Sequence, residues 1–236
     1  MTALPASLDR FRGLIARRLG LAFGGGKEAI LADALRRGMG EAELADPDAY
    51  LDLLATVTSA GREWRGLART LTVTETYFFR NSAQFAALRD FILSEWLPSR
   101  RAPTRLALLS AGCASGEEPS SIAMLLREPA LAGCAASIHA IDINGAMLSK
   151  AARGRYSAWS LRETTDAMRA RYFTQQGGDC VLDRAVRDAV TFEARLLNEE
   201  DADFWRPDAF DIVFCRNVLM YFTPTAARAA IRMPSR

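Results

Sequence analysis

Leu106-Ala-Leu-Leu-Ser-Ala-Gly-Cys-Ala-Ser-Gly-Glu-Glu-Pro119 is the stretch on which the fold turns. An apolar run of strand length feeds straight into small residues, where Gly112 and Gly116 let the main chain approach a ligand, and Pro119 suits the first turn of a following helix. Strand, small-residue turn and helix in that order make a nucleotide-type turn, although the spacing is not GxGxxG. Glu117 and Glu118 stand at the helix start, where two carboxylates repel a pyrophosphate and suit a cofactor that is itself cationic. The same acids also complement the helix dipole without any ligand, and the residues alone leave both readings open.

Downstream, Ser137 to Asp142, Val190 to Leu196 and Phe210 to Cys215 repeat the short apolar texture, with helical candidates at Glu117 to Arg127 and Asn144 to Arg153 between them. That spacing predicts βαβ units, a mainly parallel sheet, and a ligand over the carboxyl ends of its strands. Asp142 ends the second strand, the position from which a carboxylate in such a sheet commonly holds ribose hydroxyls. An N-cap role for the helix beginning near Asn144 is the structural alternative, and the two can coexist. Between Tyr156 and Val190 the alternation lapses into a charged helical stretch, Leu161 to Tyr172, and Gly177-Gly-Asp179 flanked by short strand candidates, which reads as an inserted hairpin or small subdomain.

Upstream, apolar residues recur at three and four from Leu8 to Leu71, so a small helical region precedes the sheet. Gly24-Gly-Gly26 separates its first two helices, and Asp46-Pro47 supplies an N-cap with proline at the first helical position. Residues 10 to 37 carry seven Lys/Arg against two Asp/Glu, whereas residues 41 to 52 carry five acids and no base. The first helices are therefore candidates for a basic face, or for a solvated surface balanced by its acidic neighbour. The domain boundary falls between Arg69 and Thr76.

Composition closes off several function classes. No apolar run approaches the ~20 residues that span a bilayer, and Asp9, Arg10 and Arg12 interrupt the start, so neither membrane insertion nor secretion is expected and a cytoplasmic location follows. Four scattered cysteines and a single histidine, His139, suggest neither a metal site nor a disulfide framework; His139 lies in an apolar run and reads as structural. A net charge of +2 without an interleaved basic and aromatic stripe argues against nucleic acid as a partner.

Five segments together are specific enough to place the chain: Thr74-Glu-Thr-Tyr-Phe-Phe-Arg80, Ser110 to Pro119, Ala140-Ile-Asp-Ile-Asn144, Gly154-Arg-Tyr156, and Phe210-Asp-Ile-Val-Phe-Cys-Arg-Asn-Val-Leu-Met-Tyr-Phe222. In that order they resemble the CheR-type chemotaxis receptor (protein-glutamate) O-methyltransferases, over nearly the whole chain. The resemblance implies an N-terminal all-α receptor-recognition domain (1–72) and an α/β domain (73–236) with the Rossmann-like sheet of class I methyltransferases, carrying an inserted β subdomain at about 157–189. It also implies S-adenosylmethionine as cofactor, S-adenosylhomocysteine as product, and glutamate side chains on the cytoplasmic domain of a methyl-accepting chemoreceptor as substrate. Against that acidic surface, the basic excess of residues 10 to 37 gains meaning as a docking face. Carried over by position, Arg80 and Tyr221 are the catalytic candidates. Thr74, Thr76, Arg80, Ala111, Gly112, Glu118, Asp142, Leu196, Leu197, Asn217 and Val218 are the cofactor-binding ones, while Phe78, Phe79 and Phe222 read as core.

Departures from the family pattern carry their own expectations. Leu196-Leu197-Asn198 stands where members usually show Asn-Leu, so either Asn198 substitutes from a shifted position or one adenine-side contact is missing. Thr74 replaces the usual asparagine, and its hydroxyl can still donate and accept. Gln175 to Leu182 is short for an insertion that grips a receptor tail peptide, so independence of that tether is expected. After Thr223-Pro224 one short helix leads to Arg236, where a member would continue into further strands; the catalytic domain is expected to be incomplete, with Phe210 to Cys215 as a sheet edge. A non-catalytic sensor or scaffold that keeps the cofactor fold is the alternative reading.

Overall fold

The computed structural model describes residues 3–58, 61–99, 105–199 and 201–232. Four helices come first: α1 (Ala3–Arg18), α2 (Glu28–Glu41), α3 (Pro47–Thr56) and α4 (Arg62–Leu71). Asp46 caps α3 as its sequence predicts, accepting from the backbone N–H groups of Asp48 and Ala49, with Pro47 at the first position. Phe11, Ile15, Leu31, Leu35, Leu51 and Trp64 close one apolar cluster between these helices. Gly38 has no side chain because Tyr50 needs the space: a Cβ there would lie 2.1 Å from the Tyr50 hydroxyl.

The basic face divides on folding. Arg10 pairs with Asp48 and Asp52 of α3, Arg12 with Asp9 and Glu28, and Arg36 and Arg37 with Asp33. Only Arg10 is answered by the acidic segment beside it, the other pairs being made with Asp9, Glu28 and Asp33, and the expected basic docking face is reduced accordingly.

A loop containing Thr74 to Arg80 leads into α5 (Ser82–Phe91), which runs through a π-helical turn, Ile92–Trp96, into α6 (Leu97–Ser99). The α/β layer then alternates: β1 (Leu106–Ala111), α7 (Glu117–Leu125), β2 (Ala136–Asp142), α8 (Gly145–Arg153), β6 (Val190–Ala194), β7 (Ile212–Phe214) and α11 (Pro224–Arg232). These four strands form one parallel sheet in the order β6-β2-β1-β7, the mostly parallel sheet expected. Buried on both faces, β1 is apolar almost throughout, which is why its run stands out in the sequence. Among the described residues β7 pairs with β1 alone and takes only the middle of the Phe210 to Cys215 run. Phe210 turns aside to pack on Phe204, Trp205 and His139, so the lone histidine serves packing.

Between α8 and β6 lies the insertion: β3 (Arg155–Tyr156), α9 (Asp166–Tyr172), β4 (Phe173–Gln176), β5 (Asp179–Leu182) and α10 (Arg184–Arg187), its strands forming an antiparallel sheet in the order β3-β5-β4. It starts at Arg155, ahead of the expected boundary near 157. The helical region is tied to the sheet by an antiparallel bridge between Leu21 and Phe222, with Ala22 N–H donating to Tyr221 O at 2.8 Å and Thr223 N–H to Gly20 O at 2.7 Å. No helix among the described residues is long and apolar enough to cross a membrane.

Candidate active site

The chain leaves β1 toward β2 on one side and returns to β7 on the other, so the strand order reverses beside β1, where crevices open in sheets of this kind. An open cleft lies over that point. Its walls are the turn after β1, the ends of β2 and β6, the loops around Thr74 to Arg80 and Arg216 to Phe222, and Leu19 and Leu21 from the helical region.

The floor is a glycine turn held by backbone bonds. Gly112 and Cys113 donate N–H groups to Ile141 O at 2.8 and 3.0 Å. Gly112 has φ +73°, and a Cβ on it would stand 2.3 Å from Val218 Cγ2, so this residue lets the turns after β1 and β7 meet. Asp142 then ties the floor to β2, since Oδ2 accepts from Ala114 N–H at 2.9 Å and Oδ1 from Asn144 N–H at 2.7 Å. The cap of α8 is Asn144, which accepts from Met147 N–H and reaches Thr72 Oγ1 with its amide. Asp142 is thus a loop clamp that also faces the cleft, rather than the N-cap itself.

The two helix-start acids part company. Glu117 is 1% exposed and turned inward, accepting from the hydroxyls of Ser115 and Ser160. Glu118 lines the cleft, takes the Ser110 hydroxyl at 2.7 Å and pairs with Arg216 at 3.4 Å. Burial raises the carboxyl pKa of both Glu118 and Asp142, against the lowering effect of their hydrogen bonds. Arg216 also donates to the main-chain oxygen of Arg80, fastening the Thr74 to Arg80 loop to the end of β7. Arg80 itself donates to Glu75 O at 2.9 Å and lies 5.6 Å from the Tyr77 ring centroid.

The cleft gathers Thr74, Thr76, Arg80, Gly112, Glu118, Asp142, Leu196, Leu197, Asn217, Val218 and Tyr221. Ala111 is not among its lining residues; as an inward residue of β1 it packs with Leu109, Ile141, Leu197 and Trp205. Asn198 is not among the lining residues either and lies beside Gly20, so the wall there is Arg195-Leu196-Leu197. Arg216, Arg195 and Tyr77 line the cleft and went unassigned in the sequence. Arg216 had a signal, a lone arginine in the quoted run after β7.

A doubly wound sheet whose ligand cleft is floored by a glycine turn and flanked by two part-buried carboxylates has the form of a methyltransferase of the S-adenosylmethionine-dependent class. A family description reading CheR methyltransferase, SAM binding domain, matches residues 74–233, and one reading CheR methyltransferase, all-alpha domain, matches residues 6–72. The chain belongs to the CheR methyltransferase family, and S-adenosylmethionine is its cofactor. It is similar to chemotaxis protein methyltransferase 2 of Vibrio cholerae, 32% identical over 94% of this chain and 77% of that one. To the chemotaxis protein methyltransferase of Escherichia coli it is 31% identical, over 96% of this chain and 78% of that one. The probable biofilm formation methyltransferase WspC of Pseudomonas aeruginosa is 33% identical over 91% of this chain and 50% of its own length.

The cleft fits that cofactor on physical grounds. Asp142 faces it with no cation paired to it among the described residues, and burial disfavours its charged form, so an ammonium, sulfonium or ribose hydroxyl would be a welcome partner. A consequence is checkable by calorimetry: cofactor affinity should fall on acidification at a pH above the ordinary carboxylate range, because a raised pKa means that protonation begins earlier. Glu118→Gln should bind more weakly at neutral pH and show a shallower pH dependence. Identical pH profiles for the two proteins would remove Glu118 from cofactor binding.

Proposed function

We propose that this chain transfers the methyl group of S-adenosylmethionine to glutamate side-chain carboxylates on the cytoplasmic domain of a methyl-accepting chemoreceptor, giving the glutamate methyl ester and S-adenosylhomocysteine. Names of the related chemotaxis methyltransferases support that substrate class, and the cleft chemistry supports the reaction type. S-adenosylmethionine supplies a methyl group on a sulfonium, which a glutamate carboxylate, ionised at neutral pH with an ordinary pKa of ~4.3, displaces in line without a general base. The protein's task is then placement, and a site without histidine is adequate to it.

Glu118 and Asp142 would bind the cofactor's ammonium and ribose; Gly112, Leu196, Leu197, Asn217 and Val218 would shape its pocket, with Thr74 and Thr76 on the facing loop. Arg80 and Tyr221 would meet the incoming carboxylate. The observation that carries this reading is the position of Arg80: it lines the same cleft as Glu118, and one of its donors is engaged by Glu75 O while others stay available to an anion. The helical region would help to recognise the receptor, and the short β4–β5 hairpin, turned at Gly177-Gly178, supports action without a tail-peptide tether in a cytoplasmic setting. A receptor cytoplasmic fragment incubated with radiolabelled cofactor should acquire base-labile methyl groups, released as methanol, and lose them when its acceptor glutamates become alanine. Label that survives base, or that persists in the alanine fragment, would refute the glutamate assignment.

A further inference from the structure

Trp159 is 66% exposed, on the turn Ala158–Leu161 that follows β3 in the insertion. It is not a loose surface residue. The guanidinium of Arg162 lies 4.2 Å from its ring centroid and 3.6 Å from that of Tyr77, so one arginine is sandwiched between an exposed indole and a phenol that lines the cleft. Arg162 is held from four sides: by the two rings, by the main-chain oxygen of Trp159 at 2.9 Å, and by the Glu75 carboxylate at 3.0 Å. Phe78 N–H donates to Ser160 O at 2.9 Å, so the catalytic loop and the insertion are also joined through the main chain. From the surface inward the order is Trp159, Arg162, Tyr77, Arg80, the last 5.6 Å from the Tyr77 centroid.

We propose that Trp159 is a substrate-docking residue: its open ring face receives an apolar or long aliphatic side chain of the receptor helix, close to the glutamate that enters beside Arg80. The proposal rests on the methyl-acceptor assignment above. Two properties favour it. The indole is presented with its rotamer freedom already largely lost to the stack, so little ordering entropy opposes binding, and a rigid aromatic anchor is the residue type that dominates contact energies. The lip behind it carries Arg80, which forms no salt bridge among the described residues, and Arg162, paired with Glu75, while Arg216 lies deeper in the cleft against Glu118. Such a lip suits an acidic helix better than a basic one.

Steady-state kinetics on the full chain with a receptor cytoplasmic fragment test it. Trp159→Ala should raise KM for the fragment about tenfold, with kcat and the Kd for S-adenosylhomocysteine within about twofold of the parent. Trp159→Phe should recover most of the loss. Trp159→Glu should exceed the alanine effect, because an acid at the lip repels an acidic helix. An active parent enzyme with an unchanged KM in Trp159→Ala overturns the docking role alone. A parallel loss of S-adenosylhomocysteine affinity also overturns it, since the ring would then be part of the cleft's framework. A parent enzyme that does not methylate the fragment overturns the acceptor assignment and this inference with it.

Discussion

Gly112→Ala should abolish most cofactor binding while the fold survives with reduced stability. The reason is local and has two parts. The backbone at 112 has φ +73°, a left-handed conformation that costs an L-residue about 1–2 kcal/mol. The added Cβ would also lie 2.3 Å from Val218 Cγ2 and 3.2 Å from Cγ1, far inside contact distance, and overpacking of this kind costs about 1–3 kcal/mol. A β-branched valine has few rotamers with which to yield, so the Asn217-Val218 turn must move outward, into the cleft or away from it. Either displacement spoils a wall of the pocket, and each ~1.4 kcal/mol lost from binding is a tenfold rise in Kd. Titration calorimetry with S-adenosylhomocysteine and a thermal melt separate the two effects. Gly133→Ala is the control, since nothing stands within 4 Å of its Cβ position. In Gly112→Ala/Val218→Ala the overlap is relieved, leaving the backbone cost and the trimmed Val218 wall, so part of the affinity should return relative to Gly112→Ala and the Val218→Ala single variant sets the ceiling. Wild-type affinity in the single variant would mean that the turn after β1 is not the cofactor floor.

Why some of this was legible in the sequence and some was not follows from how far each feature reaches. β1 and its turn could be read because a strand buried on both faces is apolar in nearly every residue and the glycines follow at once. Asp46-Pro47 could be read because a cap is decided within four residues. Residue chemistry alone did not separate Glu117 from Glu118, and only the family resemblance singled out Glu118; neighbours on a helix differ in direction by about 100°, and the Ser115 and Ser160 hydroxyls hold the first inward. Ala111 came to the site residues through the family resemblance, and its side chain packs in the core at the end of β1. The basic face of residues 10 to 37 looked continuous in part because the partners of Arg10, Asp48 and Asp52, lie on a later helix. The Trp159, Arg162 and Tyr77 stack had no signal, since it joins two segments remote in sequence, one of them inside an insertion whose regular pattern lapses. Local chemistry shows in a sequence; convergence of distant segments does not.

That distinction bears directly on Arg80, whose motif is local but whose environment is assembled from three segments. Arg80→Ala should lower methyl transfer by about a hundredfold or more while the Kd for S-adenosylhomocysteine changes by less than about threefold, the size expected when a reacting group loses its orientation rather than its binding. The side chain can be removed without releasing the loop, because Arg216 grips the main-chain oxygen of residue 80 and Ser121 Oγ accepts from Phe79 N–H at 3.0 Å. Charge argues for orientation over tight binding. As a carboxylate attacks a sulfonium-bound methyl, both charges are being neutralised, so an arginine that gripped the carboxylate strongly would stabilise the reactants more than the transition state. Geometry agrees, since the Arg80 guanidinium is already partly engaged by Glu75 O and the Tyr77 ring and meets the substrate with what remains. Arg80→Lys keeps the charge but not the planar fork, and should recover only a fraction of the rate. Single-turnover methyl transfer with saturating cofactor reads the chemical step directly. Equal losses of transfer and of cofactor binding would make Arg80 a pocket residue, and an unaltered single-turnover rate would remove it from the reaction centre and leave Tyr221 as the remaining candidate there.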